Sequence, residues 1–280
     1  MVYRSPEKKL QQQRRRRIWV ALLLILCLIF FGGIIFILRL DFWQIKNIEV
    51  YGNKLVITEE ILPIVKRKIE GECWLTVPCA NRLFFSTEIS RRDILAKFLV
   101  IKNVIVNVSG QTLQITVEER QPQDLWCNEG AISMDCYFMD STGYIFVAAP
   151  YFSTGFLIWN GGLDSDIIES GDTTQVLGQQ VLDPDRFQNW RWFADRFVTE
   201  IAELKQIQIS DDLEIVFDLY NNLKIIFYRD GDLDEIWQTL QLLRREKYLD
   251  DQTIAYIDLS FIKNNQVFYC RRGEVCETNF

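Results

Sequence analysis

The chain has no histidine among its 280 residues. That absence excludes a Ser-His-Asp or Cys-His nucleophile, a histidine zinc site and an imidazole proton relay. A phosphate-cradling loop is missing too, because Gly161-Gly162 and Gly171 are not followed by Lys and Ser or Thr. No C-x-x-C pair occurs, which removes the usual redox and zinc spacings. Internal repeats are absent, and low complexity is confined to Gln11–Arg17. What remains is ordinary globular material, 49% hydrophobic and 25% charged, long enough for about two domains. The net charge of −7 is uneven. Residues 1–17 carry seven basic side chains and one acid, so 24 basic and 37 acidic groups remain beyond them, a net of −13. A segment that acidic is a poor ligand for nucleic acid or anionic lipid.

From Ile18 to Leu38 the sequence carries no charge. As a helix at 1.5 Å per residue this run reaches about 30 Å, the hydrocarbon thickness of a bilayer. Its side chains favour insertion by roughly 6 kcal/mol or more. Arg14–Arg17 abut one end, while Arg39 stands beside Asp41 at the other. The positive-inside rule therefore predicts a cytoplasmic head (1–17), a single transmembrane helix (18–38) and an extracytoplasmic remainder (39–280). A cleaved signal peptide would have a shorter apolar core and small residues at its end. Here the run ends in Leu38-Arg39-Leu40-Asp41-Phe42. A buried core helix disagrees with the length and the flanking charge.

Cys27 lies within the apolar run, and the other six cysteines fall into close pairs: Cys73/Cys79, Cys127/Cys136 and Cys270/Cys276. In an exported segment proximity predicts three local disulfides, with free buried thiols as the alternative.

The first exported unit (41–121) reads as strand, helix, helix, strand, strand. Ile45–Tyr51 alternates and breaks at Gly52-Asn53. Thr58 followed by Glu59 and Glu60 opens a helix to about Ile69, with Gly71 as its stop. A second helix covers about Thr87–Phe98, and alternating strands follow at Asn103–Val108 and Thr112–Glu118. In the second unit (122–270), Phe138–Phe146 reads as a hairpin and Phe156–Trp159 as a strand. Asp183-Pro184 opens a helix whose Trp190, Phe193 and Phe197 form a core stripe. Strands at Gln206–Ile209, Leu213–Leu219 and Leu223–Tyr228, a helix from Asp232 to about Tyr248, and strands at Ile254–Ser260 and Gln266–Tyr269 complete it. Residues 271–280 are left as a tail.

Ile48-Glu49-Val50-Tyr51-Gly52-Asn53, the helix from Thr58, the paired strands and Glu119-Arg120-Gln121-Pro122 together resemble a POTRA domain of the FtsQ/DivIB type. Asp140-Ser141-Thr142-Gly143 resembles that family's D-x-x-G hairpin. Tyr256-Ile257-Asp258-Leu259-Ser260-Phe261 resembles its closing apolar-D-apolar-R-aromatic strand, with Ser260 in place of the Arg. The resemblance implies an α+β fold: one transmembrane helix, a β-α-α-β-β POTRA domain, and a mixed α/β domain with an extended antiparallel sheet. It implies a single-pass division protein at the septum that recruits FtsB and FtsL and, through them, couples to the septal wall synthase FtsW–FtsI.

Catalysis finds little support. Asp164/Asp166 and Asp183/Asp185 could pair as glycosidase carboxylates, yet they sit in turn and helix-cap contexts. The S-x-x-K spacings at Ser5/Lys8 and Ser260/Lys263 lack their S-D-N and K-T-G companions. Asp230, Asp232, Asp234 and Glu235 read as acids at a helix start rather than a metal loop. We therefore expect no enzyme, cofactor, metal or small-molecule substrate. A final strand at a sheet edge presents unpaired backbone groups that recruit a partner strand unless guarded. The expected contact residues are Phe261, Asn265, Gln266, Val267, Phe268 and Tyr269, flanked by the cations Lys263, Arg271 and Arg272. The alternative function is a POTRA-type envelope chaperone or receptor for extended polypeptides.

Overall fold

The computed structural model describes residues 6–74, 77–128, 135–150, 153, 155–164, 173–210 and 213–276. The chain divides into two compact units, Met1–Glu119 and Arg120–Phe280.

The first unit begins with one long helix, α1 (Pro6–Leu38). Within Arg15–Leu38 an 18-residue stretch has a mean hydropathy of 3.2 and none of it is buried, so the helix is long and apolar enough to cross a membrane. The globular part follows as β1 (Asn47–Tyr51), α2 (Thr58–Ile69), a small hairpin β2 (Glu72–Trp74) and β3 (Val77–Pro78), α3 (Thr87–Lys97), β4 (Ile101–Ser109) and β5 (Thr112–Glu119). β5 is the central strand, parallel to β1 and antiparallel to β4. Ile61 and Val65 of α2, Ile94 of α3 and Leu113, Ile115 and Val117 of β5 share one core. These are the apolar positions of a 3.6-residue and a two-residue period, which is why each element buries one face.

The helix expected from Thr58 is α2, with Ile57 at the cap position and the Thr58 hydroxyl accepting from the Asn53 amide at 3.2 Å. The β2–β3 hairpin, inside the loop closed by Cys73 and Cys79, was not anticipated.

The second unit contains β6 (Asp124–Cys127), β7 (Cys136–Met139), β8 (Ile145–Ala148), β9 (Ile158–Gly161), α4 (Pro184–Glu200), β10 (Leu204–Ile209), β11 (Glu214–Leu219), β12 (Lys224–Tyr228), α5 (Leu233–Arg245), β13 (Ile254–Asp258) and β14 (Phe268–Arg271). All the strands join one nine-stranded sheet in the order β14-β13-β12-β11-β10-β9-β6-β7-β8. The expected antiparallel sheet is in fact mixed, since β12–β13, β9–β10 and β6–β9 pair in parallel. For the first two pairs the reason is connectivity: α4 carries the chain from β9 to β10 and α5 from β12 to β13, and a helical crossover returns a strand in the same direction. Gly161 permits close approach there, because at φ +71° its added Cβ would meet the Ile209 carbonyl oxygen at 2.0 Å.

The stripe on α4 is core, as expected. Trp190 stacks 5.6 Å from Phe227, Phe193 lies 6.0 Å from Phe217, and those two sheet rings are 4.9 Å apart. Asp183 caps α4 through the Asp185 amide, and Asp232 caps α5 through the Asp234 and Glu235 amides. Among the described residues no group of three or more metal-ligating side chains converges; Asp166 and Gly171 lie outside them.

Candidate functional site: the terminal sheet edge

The site begins where β13 stops. The Asp258 carboxylate accepts from the Ser260 amide at 2.8 Å and turns the chain out of the strand. A 3-10 turn over Ile262–Asn264 follows, ended by Asn265 in the left-handed region at φ +53°. The Asn265 amide closes onto the Ile262 carbonyl at 2.7 Å, and β14 then returns antiparallel to β13. The expected final strand, Gln266–Tyr269, is therefore displaced to Phe268–Arg271. Asn265, Gln266 and Val267 belong to the reversal, not to the ladder. The displaced register makes Cys270 a strand residue, buried and joined to Cys276. It also brings Arg271, expected only as a flanking cation, into the strand.

β14 pairs with β13 on one flank, and among the described residues no strand occupies the other. The Arg272 amide donates to the Thr253 carbonyl at 2.7 Å. Antiparallel alternation then turns the main-chain groups of Cys270 and Phe268 toward β13 and those of Tyr269 toward the open flank. Side chains line both faces of this edge. Phe268 and Phe261 meet edge to face at 5.5 Å and are 50% and 46% exposed. On the other face Tyr269 lies 5.9 Å from Tyr248. Tyr269, Tyr248, Val267, Ile257 and Leu243 line a groove of about 190 Å³. Leu243 and Tyr248 were missed as site residues. Their sequence signal was absorbed into a helix expected to reach Tyr248, whereas α5 ends at Arg245 and Lys247 turns the chain at φ +63°.

The three flanking cations have different duties. Lys263 is exposed. Arg271 lies 6.0 Å from the Tyr269 ring. Arg272 is tied inward, its guanidinium donating to the carbonyls of Asn221, Asn222 and Ile254. Burial, helped by the Asp258 charge, raises the Tyr256 phenol above its ordinary value and keeps it neutral. The Ser260 hydroxyl is buried without a hydrogen-bond partner. Nothing here pairs a nucleophile with a base, and the chemistry on offer is backbone pairing plus apolar contact.

The opposite edge of the sheet is covered at the start of its strand. Beside β8, the Ile145 amide donates to the Gln179 carbonyl, the Gly178 amide donates to the Ile145 carbonyl, and Tyr144 bridges to Gln180. The cysteine pairs stand at disulfide distance, with Cα separations of 4.9, 4.2 and 6.1 Å for Cys73–Cys79, Cys127–Cys136 and Cys270–Cys276. Cys27 is unpaired.

No family model matches this chain. No curated protein is significantly similar to it in sequence.

Proposed function

We propose that this chain is a noncatalytic, membrane-anchored docking scaffold of the FtsQ/DivIB type, working in bacterial cell division. In this reading the head at 1–17 is cytoplasmic, α1 crosses the cytoplasmic membrane, and the first unit is a POTRA domain. The second unit captures an FtsB-like strand on β14, with an FtsL-like helix coiled on that partner and an FtsW–FtsI-like septal synthase beyond. The observation that carries the reading is the open flank of β14, bordered on both faces by half-exposed aromatic side chains. Strand addition there would gain main-chain hydrogen bonds and bury both aromatic faces together. Tethering in the membrane raises the effective concentration of partners, so a four-residue edge suffices.

Tyr269→Pro tests it. Proline removes the outward N–H, which no strand among the described residues uses, and edge strands tolerate proline. An FtsB-like protein should co-purify with the detergent-solubilised wild type and be lost from the variant, while melting is unchanged. A fluorescent fusion should form a midcell band. Undiminished co-purification with Tyr269→Pro sinks the docking mechanism, and a uniform envelope signal favours the chaperone-like receptor.

A further inference from the structure

Four exposed apolar side chains from two distant segments gather at the end of α1: Leu40, Phe42, Leu83 and Phe84. Scattered exposed hydrophobics need no explanation. These differ because hydrogen bonds hold both segments at the last turn of the helix. The Asn81 side chain, fully buried, donates to the Leu38 carbonyl at 2.7 Å. The Ile45 amide donates to the Ala80 carbonyl at 2.8 Å, and the Arg82 amide donates to the Trp43 carbonyl at 2.9 Å. Asn81 then folds the following turn, its side-chain oxygen accepting from the Leu83 amide and its carbonyl from the Phe84 amide, both at 2.9 Å. Leu83 is left 59% exposed and Phe42 63% exposed.

We infer that the Asn81–Phe84 turn and the Leu40–Trp43 segment form a lipid-binding foot that seats the first unit in the headgroup layer of the bilayer. The inference rests on the reading that α1 spans the membrane. Distance supports it: two residues of chain separate Leu83 from the Asn81 anchor, a reach of about 7 Å at most. The interfacial layer on each side of the hydrocarbon core is about 5–8 Å thick. Leu83 is therefore held close to the interface while Asn81 stays bonded to the end of the span. Composition fits the same place. Trp43 and Phe42 are amphipathic or apolar rings of the kind that enrich membrane interfaces. The Arg82 guanidinium lies over them at 4.3 and 5.0 Å, presenting a cation at phosphate depth above an apolar stem. The nearby acid Asp41 pairs with Lys46 at 3.2 Å. A span and a foot together fix the tilt of the first unit on the membrane, which a single helix would leave free.

The test uses the full chain in proteoliposomes of phosphatidylcholine and phosphatidylglycerol, with Cys27→Ala as background. One cysteine at a time, Leu83→Cys, Leu55→Cys or Phe36→Cys, carries an environment-sensitive fluorophore. Leu55 is exposed in the same unit, beyond the far end of β1. Headgroup-nitroxide lipid should quench the label at 83 several-fold more than the label at 55, while deep-chain nitroxide quenches the label at 36. Quenching at 36 with no difference between 83 and 55 overturns the foot and leaves the span intact, assigning the apolar cluster to a protein partner. A label at 36 that no lipid nitroxide reaches overturns the span and the foot together. All three positions are exposed, so the substitutions should not disturb folding.

Discussion

Glu119 offers the sharpest test of how the first unit is held together. It closes β5, and its carboxylate accepts from three consecutive backbone amides, those of Lys54, Leu55 and Val56, at 2.7, 2.9 and 3.0 Å. The loop they belong to follows Gly52, whose φ is +82° and whose added Cβ would meet the Val117 carbonyl oxygen at 2.3 Å. Burial pushes the Glu119 carboxyl up, but the Leu55, Lys54 and Val56 amides together with the Lys54 charge outweigh it and hold it below its ordinary value of 4.5. Hydrogen bonds to a charged group contribute about 1.5–3 kcal/mol, and an orphaned buried amide costs about 1–3 kcal/mol. Lys54 and Leu55 are more open than Val56, so their amides can rehydrate, whereas Val56 is 4% exposed. Glu119→Ala should therefore cost about 2–4 kcal/mol and Glu119→Gln about half that. For a unit of this size each kcal/mol moves the melting temperature by about 4–8 °C. A carboxyl with a lowered folded pKa stabilises above its unfolded value, and that stabilisation fades as pH falls through the folded one. The gap between wild type and Glu119→Ala should thus close on acidification below about 4.5. Hydrogen exchange at the 54–56 amides and thermal melting of the full chain in micelles read both effects, with the exposed Glu118→Ala as control. Wild-type protection in Glu119→Ala, or an equal loss in the control, would refute the reasoning.

Three further outcomes follow from the second unit. Gly161→Ala forces a Cβ against the Ile209 carbonyl at a positive φ and should destabilise by about 1–3 kcal/mol, read as a lowered urea midpoint. Burial pushes the Asp124 carboxyl up to about 6, although Arg191 lies 2.5 Å away and the Trp159 indole donates to it at 3.2 Å. An acid whose folded pKa exceeds its unfolded value of 3.8 takes up a proton on folding, so stability should fall as pH rises from about 4 to 6, by at most about 3 kcal/mol. Asp124→Asn should flatten that slope; an unchanged pH profile of the urea midpoint counts against it. Arg272→Ala removes three carbonyl contacts behind β14 and should weaken capture of the partner strand while leaving every residue on the open flank in place. Equal affinity of the variant in a pull-down titration contradicts this.

The sequence made most of the elements legible because their apolar spacing is regular. The α4 stripe of Trp190, Phe193 and Phe197 and the caps Asp183 and Asp232 are local patterns, and each needs no knowledge of the rest of the chain. What could not be read was decided by distant partners. β6 (Asp124–Cys127) is buried on both faces, so it shows no alternation, and its neighbour β9 lies beyond an intervening hairpin. The mixed sheet direction came from crossovers rather than from any strand's own residues. β14 slid by two residues because Asn265 takes a left-handed conformation that its side chain tolerates but does not require. The Asp124–Arg191–Asp195 cluster joins β6 to α4 and has no sequence signature at all. The motif Glu119-Arg120 was noticed as a pattern only. Its two side chains do separate work, Glu119 on the 54–56 amides and Arg120 on Asp140 and the Tyr144 ring.

The two ends of the nine-stranded sheet are treated in opposite ways, and the difference bears on function. At β8 the segment around Gly178–Gln180 takes up the outward backbone groups of Ile145, so the start of that edge is covered. At β14 the edge is reinforced from behind instead. The Cys270–Cys276 pair and the three Arg272 contacts hold a strand of only four residues. That reinforcement does nothing to hide the open flank; it keeps Tyr269 and Phe268 in strand geometry while they stay half exposed. Ordering a strand in advance lowers the conformational entropy that a partner must overcome on arrival. An edge kept for solubility alone would be served better by fraying, or by a charge at every outward position, than by a disulfide and an arginine staple. The arrangement therefore fits a flank held ready for pairing, with Arg271 as its one guarding charge.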